Sequence, residues 1–285
     1  MLRSNRSPTE ATRGRHFGAV LALLFVSAAS LLAAGCASGS AEPAGSVALV
    51  NAPVGAIRGT TENGVSIYRG IPYALAPTGE RRWAPPVAVP DWAEQRDALA
   101  FGPACPQPES RPGSIYSTEL GPVSEDCLSL NVWAPEDARN APVFVWIHGG
   151  SLTTGAGSQD MYDGVRMARE QGLVVVTLNY RLGILGYLAH PGLSAESAQG
   201  ISGNYGLMDQ TLALEWVKRN IAGFGGNPDN VTVAGESAGA LSVVLLMTSP
   251  KAKGLFDKAI AQSAYMVTMA ALKESANGLP SAEAT

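Results

Sequence analysis

The sequence predicts an α/β domain in which a mostly parallel sheet carries helices on both faces. Two observations predict it. Short continuous apolar runs recur along the chain: Pro142–Ile147 (PVFVWI), Leu173–Tyr180 (LVVVTLNY) and Val231–Ala234 (VTVA). Strands that are apolar on both sides need cover on both sides, as in a parallel sheet. Between these runs lie segments with helical spacing, and strand alternating with helix is the signature of a wound α/β sheet.

The elements follow in order. Val47–Val50, Gly55–Arg58 and Val65–Arg69 read as short β-rich runs. Pro72 to Pro112, with Trp83, Pro85, Pro86, Pro90 and Trp92, reads as irregular surface chain packed by its own aromatics. Leu128–Trp133 is a strand candidate. Met161–Gln171 reads as a helix, and so does Leu207–Ile221, where Leu207, Leu214, Val217 and Ile221 share a face and Gly223-Phe224-Gly225-Gly226 ends the run. Ala238–Thr248 reads as a third helix, Lys258–Ser263 as a further strand, and residues 270–285 as a tail of weak apolar pattern that could fray.

Composition sets the class. Of 285 residues, 46% are hydrophobic and 15% charged, with 32 glycines and 19 prolines, which suits a globular, loop-rich chain and excludes a coiled coil or a disordered tail. Residues 1–35 read as a targeting segment: Arg3, Arg6, Arg13 and Arg15 precede the apolar stretch Phe17 to Ala34, which ends in Leu31-Leu32-Ala33-Ala34-Gly35-Cys36. A cysteine directly after small residues is similar to a bacterial lipobox, so Cys36 is the expected lipidation site and residues 36–45 a flexible tether to a membrane surface. Plain secretion to the periplasm or beyond, or an uncleaved anchor, is the alternative. Removing those four arginines and Glu10 from 20 basic and 24 acidic residues leaves 16 and 23, a charge of −7, and no clustered basic face for nucleic acid. With Cys36 lipidated, Cys105 and Cys127 remain as an oxidisable pair in an exported protein, or as two separate buried thiols.

Two motifs carry chemistry. Gly235-Glu236-Ser237-Ala238-Gly239 follows a strand and precedes a helix. A serine there is held on a sharp turn with its hydroxyl projecting from the sheet, and flanking glycines avoid crowding against the backbone. The helix behind it presents free N–H groups to developing negative charge. His148-Gly149-Gly150-Ser151 follows the strand Pro142–Ile147. Its glycines let main-chain donors approach a tetrahedral oxyanion, each such donor contributing roughly 3–4 kcal/mol. A plain turn is the alternative for each motif.

Together these motifs resemble the type-B carboxylesterase/lipase family, cholinesterase-like members of the α/β-hydrolase fold. Glu125-Asp126-Cys127-Leu128-Ser129-Leu130-Asn131-Val132-Trp133-Ala134-Pro135, Gly70-Ile71-Pro72-Tyr73-Ala74, Asn179-Tyr180-Arg181-Leu182-Gly183, Gly203–Gln210 and Phe224–Pro228 are family-like as well. The resemblance implies a serine esterase acting through an acyl-enzyme on Ser237. Gly150, Ser151 and Ala238 would supply oxyanion-hole amides, Glu236 would act on the nucleophile through its charge, and Cys105 and Cys127 would pair. Arg181 and Asp209 would join a structural polar network. The substrate would be a small-molecule carboxylic ester, with no metal and no organic cofactor. Ser129 and Ser151-Leu152 depart from the family pattern, and the second departure is expected to alter the acyl pocket.

The resemblance also implies an absence. In this fold the acid and histidine follow the serine in the chain. After Ser237 stand Asp257, Glu274 and Glu283 and no histidine; His16, His148 and His190 all precede it. The chain is therefore expected to hold a partial domain over residues 46–285, lacking the triad acid and base, poorly soluble and slow on esters by itself. Two competing readings are a non-catalytic cholinesterase-like binding module, whose members usually lose the serine that is kept here, and a truncated product without function. Acyl length, alcohol and oligomeric state leave no signature.

Overall fold

A computed structural model describes residues 46–109, 120–265, 270–276 and 278–284. The signal-like segment 1–35, the tether 36–45 with Cys36, and His16 lie outside the described residues.

The chain opens as an antiparallel meander: β1 (Val47–Ala52), β2 (Gly55–Glu62) and β3 (Val65–Pro72). Asn63 and Gly64, at φ 51° and 77°, make the two-residue turn between β2 and β3. Asn-Gly supplies the two positive φ values that a strand-matched turn requires. The proline-rich stretch is irregular, as expected, apart from one 3-10 turn and the two-residue β4 (Arg96–Asp97) beside β2. β5 (Ser129–Pro135) and β6 (Ala141–Ile147) follow, then α1 (Val165–Gln171), β7 (Val174–Leu178), α2 (Gly183–Tyr187), α3 (Pro191–Glu196), α4 (Tyr205–Asn220), β8 (Gly226–Glu236), α5 (Ala238–Thr248) and β9 (Lys258–Gln262).

The strand order is β1-β2-β3-β5-β7-β6-β8-β9. Along that order the pairings from β1 to β7 are antiparallel and β7–β6, β6–β8 and β8–β9 are parallel, while β4, off the path, runs parallel to β2. The sheet is thus mixed, with its parallel part where the Ser237 turn sits. β5 is buried along its length but for Pro135 whether paired antiparallel or not, so burial pattern does not reveal strand direction.

The main core lies between the sheet and α4 and α5, where Val143, Val145, Val231, Val233, Leu214, Val217 and Val243 are buried. α1 covers the other face over a smaller cluster, Val65, Ile67, Trp133, Ala168 and Val175. The two faces are covered unequally. Phe144 and Trp146, which alternate with Val143, Val145 and Ile147 along β6, are only half-buried, and all five residues of β9 are exposed.

Several local expectations change. The helix expected from Met161 starts at Val165, because Asp160–Tyr162 form one 3-10 turn and Asp163 Oδ1 accepts the Val165 N–H at 2.9 Å. His190, expected in a loop, caps the N-terminus of α3 by accepting the Gly192 N–H at Nδ1. The described part of the tail is folded rather than frayed: Ala282 and Glu283 N–H groups donate to the carbonyls of Ala271 and Leu272, and the Ser194 hydroxyl donates to the Glu283 carboxylate. No helix among the described residues is long and apolar enough to cross a membrane.

Candidate active site

β8 delivers Ser237 to the carboxyl end of the parallel strands. Ser237 has φ 55° and ψ −119°, a conformation that L-residues rarely occupy, and it caps α5 with its carbonyl accepting the Leu241 N–H at 3.0 Å. Strain of this kind persists only where the surroundings enforce it. Here they do. A Cβ on Gly235 would lie 2.5 Å from the Gly239 carbonyl carbon, and one on Gly239 would lie 2.1 Å from the Ile147 carbonyl oxygen. The turn, the helix start and the end of β6 therefore pack backbone against backbone. The Ser237 N–H is also held, donating to the Gln262 carbonyl of β9 at 3.0 Å.

The loop after β6 faces this turn. Gly150, Ser151 and Leu152 have consecutive positive φ values of 109°, 56° and 61°. The Gly150 carbonyl turns inward and accepts the Thr153 and Thr154 N–H groups at 3.0 and 2.9 Å. The N–H groups of Gly150, Ser151 and Ala238 donate to no neighbour among the described residues, and Ala238 is the first residue of α5, where helical N–H groups lack internal partners.

A cleft of about 550 Å³ joins these parts. Gly149, Gly150, Ser151, Glu236 and Ser237 line it, with Gln107, Glu109 and Tyr162. The structure thus brings Gly150, Ser151, Glu236 and Ser237 to one cavity, with Ala238 buried directly behind Ser237. Leu152 does not line it and packs on the main core instead, so at the Ser151-Leu152 departure only Ser151 meets the cleft.

His148 is buried behind the loop. Its Nδ1 sits 2.8 Å from the Gly149 carbonyl, which fixes the proton on Nδ1, and its ring stacks on Tyr180 at 4.4 Å. Burial lowers its pKa from 6.5 to about 4, so the ring is neutral near pH 7. Tyr180 donates its hydroxyl to the His148 carbonyl at 2.8 Å. His190 lines no part of the cleft, and no acceptor for the Ser237 hydroxyl proton occurs among the described residues.

Supporting contacts extend outward. Cys105 and Cys127 form a disulfide, 22 residues apart. Gln107, two residues on, bridges the Cys105 carbonyl at 3.1 Å and both the carbonyl and N–H of Gly155 at 2.9 and 2.8 Å. Sequence reasoning missed Gln107 and gave Tyr180 no role beyond its place in a family-like motif, since a glutamine in a proline-rich loop and a tyrosine two residues past β7 carry no spacing signal. Arg181 and Asp209 form a buried two-pronged ion pair at 2.7 and 2.8 Å, and Arg181 Nη1 also donates to the Arg82 and Ala84 carbonyls.

A family model described as "Carboxylesterase family" matches residues 46–284. The chain belongs to the carboxylesterase family. This carboxylesterase chain is 49% identical over 222 residues to the para-nitrobenzyl esterase of Bacillus subtilis (strain 168), covering 78% of itself and 44% of that relative. It is 48% identical over 230 residues to the fumonisin B1 esterase of Sphingopyxis macrogoltabida, covering 79% of itself and 42% of that relative. Among solved structures, a PNB esterase superposes with a TM-score of 0.72 at 49% identity, over 78% of this chain and 45% of that one. The Geobacillus stearothermophilus carboxylesterase at pH 6.2 gives 0.67 at 46% identity, over 74% and 42%. The fold is therefore that of the α/β-hydrolase esterases, and the carboxylesterase chain spans less than half the length of these relatives.

Proposed function

We propose that the protein is a serine carboxylic ester hydrolase. The observation that carries this reading is the strained Ser237, seated in one cleft between the N-terminus of α5 and the amides of Gly150 and Ser151, which have no partner among the described residues. Ser237 Oγ attacks the ester carbonyl, and its proton passes to a base. The tetrahedral oxyanion is stabilised by the N–H groups of Gly150, Ser151 and Ala238. Collapse expels the alcohol and leaves an acyl-enzyme on Ser237, which water hydrolyses. Glu236, lining the cleft beside Ser237, favours positive charge on the base during transfer. The base and its orienting acid lie outside the described residues. The relatives named for p-nitrobenzyl and fumonisin ester hydrolysis support small-molecule carboxylic esters as the substrate class.

Export belongs to the same reading. Residues 1–35 act as a signal, Cys36 carries lipid, residues 36–45 form the tether, and residues 46–285 hold the esterase portion at the cell envelope. The Cys105–Cys127 disulfide supports an oxidising compartment.

The test is hydrolysis of p-nitrophenyl acetate by the gene's product in its native membranes, with fluorophosphonate labelling. Ser237→Ala is expected to abolish labelling and lower turnover by about 10³-fold or more. Turnover unchanged by Ser237→Ala would overturn the assignment. Cys36→Ser is expected to release the protein from the membrane fraction; retention would overturn the anchor.

A further inference from the structure

Gly150 and Ser151 line the cleft, and the direction of each N–H is set by the carbonyl of the same peptide unit. A peptide is planar and trans, so its N–H and C=O point opposite ways and turn together. The Gly150 N–H shares its unit with the Gly149 carbonyl, which His148 Nδ1 holds at 2.8 Å. The Ser151 N–H shares its unit with the Gly150 carbonyl, which the Thr153 and Thr154 N–H groups hold at 3.0 and 2.9 Å. Both donors are therefore aimed from behind.

Gly155 closes this arrangement. It has φ 109°, and a Cβ there would lie 2.3 Å from His148 Nδ1 and 2.7 Å from the Gly149 carbonyl oxygen. It also follows Thr154 directly. A displacement of Gly155 thus reaches the first carbonyl by contact and the second through the chain. Glycine resists displacement poorly, because its backbone is the least restricted of any residue.

Gln107 supplies the restraint. Its Oε1 accepts the Gly155 N–H at 2.8 Å and its Nε2 donates to the Gly155 carbonyl at 2.9 Å, as a neighbouring strand would. The second Nε2 proton goes to the Cys105 carbonyl at 3.1 Å, beside the disulfide, and fixes the plane of the amide. One acceptor and two donors are used at once, a set that an amide provides and a carboxylate does not. Asn179 Oδ1 accepts the Gly157 N–H at 2.8 Å and anchors the same limb two residues on, without a bond to Gly155.

We propose that Gln107 is a positioning residue for ester hydrolysis: it braces Gly155 so that the N–H groups of Gly150 and Ser151 stay aimed at the oxyanion. The catalytic consequence rests on the esterase reading; the brace stands without it. Donors stabilise developing charge best when they need not turn as the reaction proceeds. The ground-state ester carries little charge, so loss of the brace falls on kcat and spares KM.

The test compares the gene's product from its native membranes with two variants. Gln107→Met removes all three bonds at similar volume, and Gln107→Glu keeps only the acceptor. Fluorophosphonate labelling run to completion counts the sites. Each variant is expected to lower kcat per labelled site on p-nitrophenyl acetate by about tenfold, with KM held within about twofold. Deuterium exchange at the Gly155 amide is expected to quicken at least about tenfold, with Val145 in the buried β6 unchanged. Unchanged kcat per site in both variants, or matching changes in kcat and KM, overturns the positioning role. Unchanged exchange at Gly155 overturns the brace. Faster exchange at Val145 as well shows a general loosening of the fold and overturns the proposal. Parent turnover that survives Ser237→Ala overturns the esterase reading instead, and exchange at Gly155 then decides the brace by itself.

Discussion

Gly149 and Ser237 interlock: a Cβ on Gly149 would lie 3.3 Å from the Ser237 Cβ and 2.8 Å from the Glu236 carbonyl oxygen. The donor loop and the nucleophile turn are therefore spaced by the absence of one side chain. Gly149→Ala is expected to push them apart, costing about 1–3 kcal/mol in urea denaturation by overpacking, and to reduce fluorophosphonate labelling of Ser237. An unchanged midpoint with full labelling would show that the loop yields freely.

Ser151 holds φ 56°, where a Cβ crowds the following carbonyl at about 1–2 kcal/mol. Ser151→Gly relieves that strain and gives back about 0.5–1 kcal/mol through unfolded-chain entropy. The glycine variant is expected to be at least as stable as the parent, and Ser151→Val to lose at least about 1 kcal/mol. Thermal melts of the pair check this, and a glycine variant less stable than the valine variant contradicts the loop conformation.

Stability should follow the His148 ring in acid. Burial holds it at about 4, against 6.5 in an unfolded chain. The unfolded state takes up the proton first as pH falls, so the contribution is complete above pH 6.5 and lost down to pH 4, about 3 kcal/mol in all. Urea midpoints of the parent and His148→Phe, measured at pH 7 and 4.5, are expected to converge at the lower pH. Parallel pH dependences would contradict a buried neutral ring.

The Arg181–Asp209 pair is buried, with side chains 2% and 0% exposed. Asp209→Ala leaves a guanidinium uncompensated in the core and is expected to cost about 3–5 kcal/mol. Arg181→Met with Asp209→Leu is expected to recover part of that loss. Denaturant curves for the three proteins give the comparison, and a mild effect of Asp209→Ala would mean that water reaches the pair.

Reducing the Cys105–Cys127 bond is expected to lower stability by about 3 kcal/mol for its 22-residue separation. It should also loosen Gln107, and with it the Gly155 edge of the cleft. Urea curves with and without dithiothreitol, set beside the Cys105→Ser, Cys127→Ser double variant, test the first effect. Hydrogen exchange at Gly155 tests the second.

Legibility differed from element to element. The parallel strands β6, β7 and β8 were readable because burial forces them to be continuously apolar, and α4 because its buried stripe repeats over four turns. α2 and α3, of five and six residues, are too short to show a period. The direction of β5 and the half-bare side of β6 were invisible, since a valine run records that burial exists and not what provides it. At the site, Gly235–Gly239 and His148–Ser151 were legible because close backbone approach demands glycine. The consecutive left-handed turns at Ser151 and Leu152 were not, because neither side chain favours that conformation. The Arg181–Asp209 network was anticipated from resemblance, whereas Gln107 acts through contacts that only the folded chain brings together.

The hydrogen bond from Ser237 N–H to the Gln262 carbonyl makes one proton a gauge. Its lifetime against exchange with deuterium reports how firmly β9 is gripped. Tightening of the strand would lengthen that lifetime, and fraying would shorten it, before any ester bond is offered to the serine. A single amide resonance could thus follow the order of β9 and the readiness of the nucleophile together.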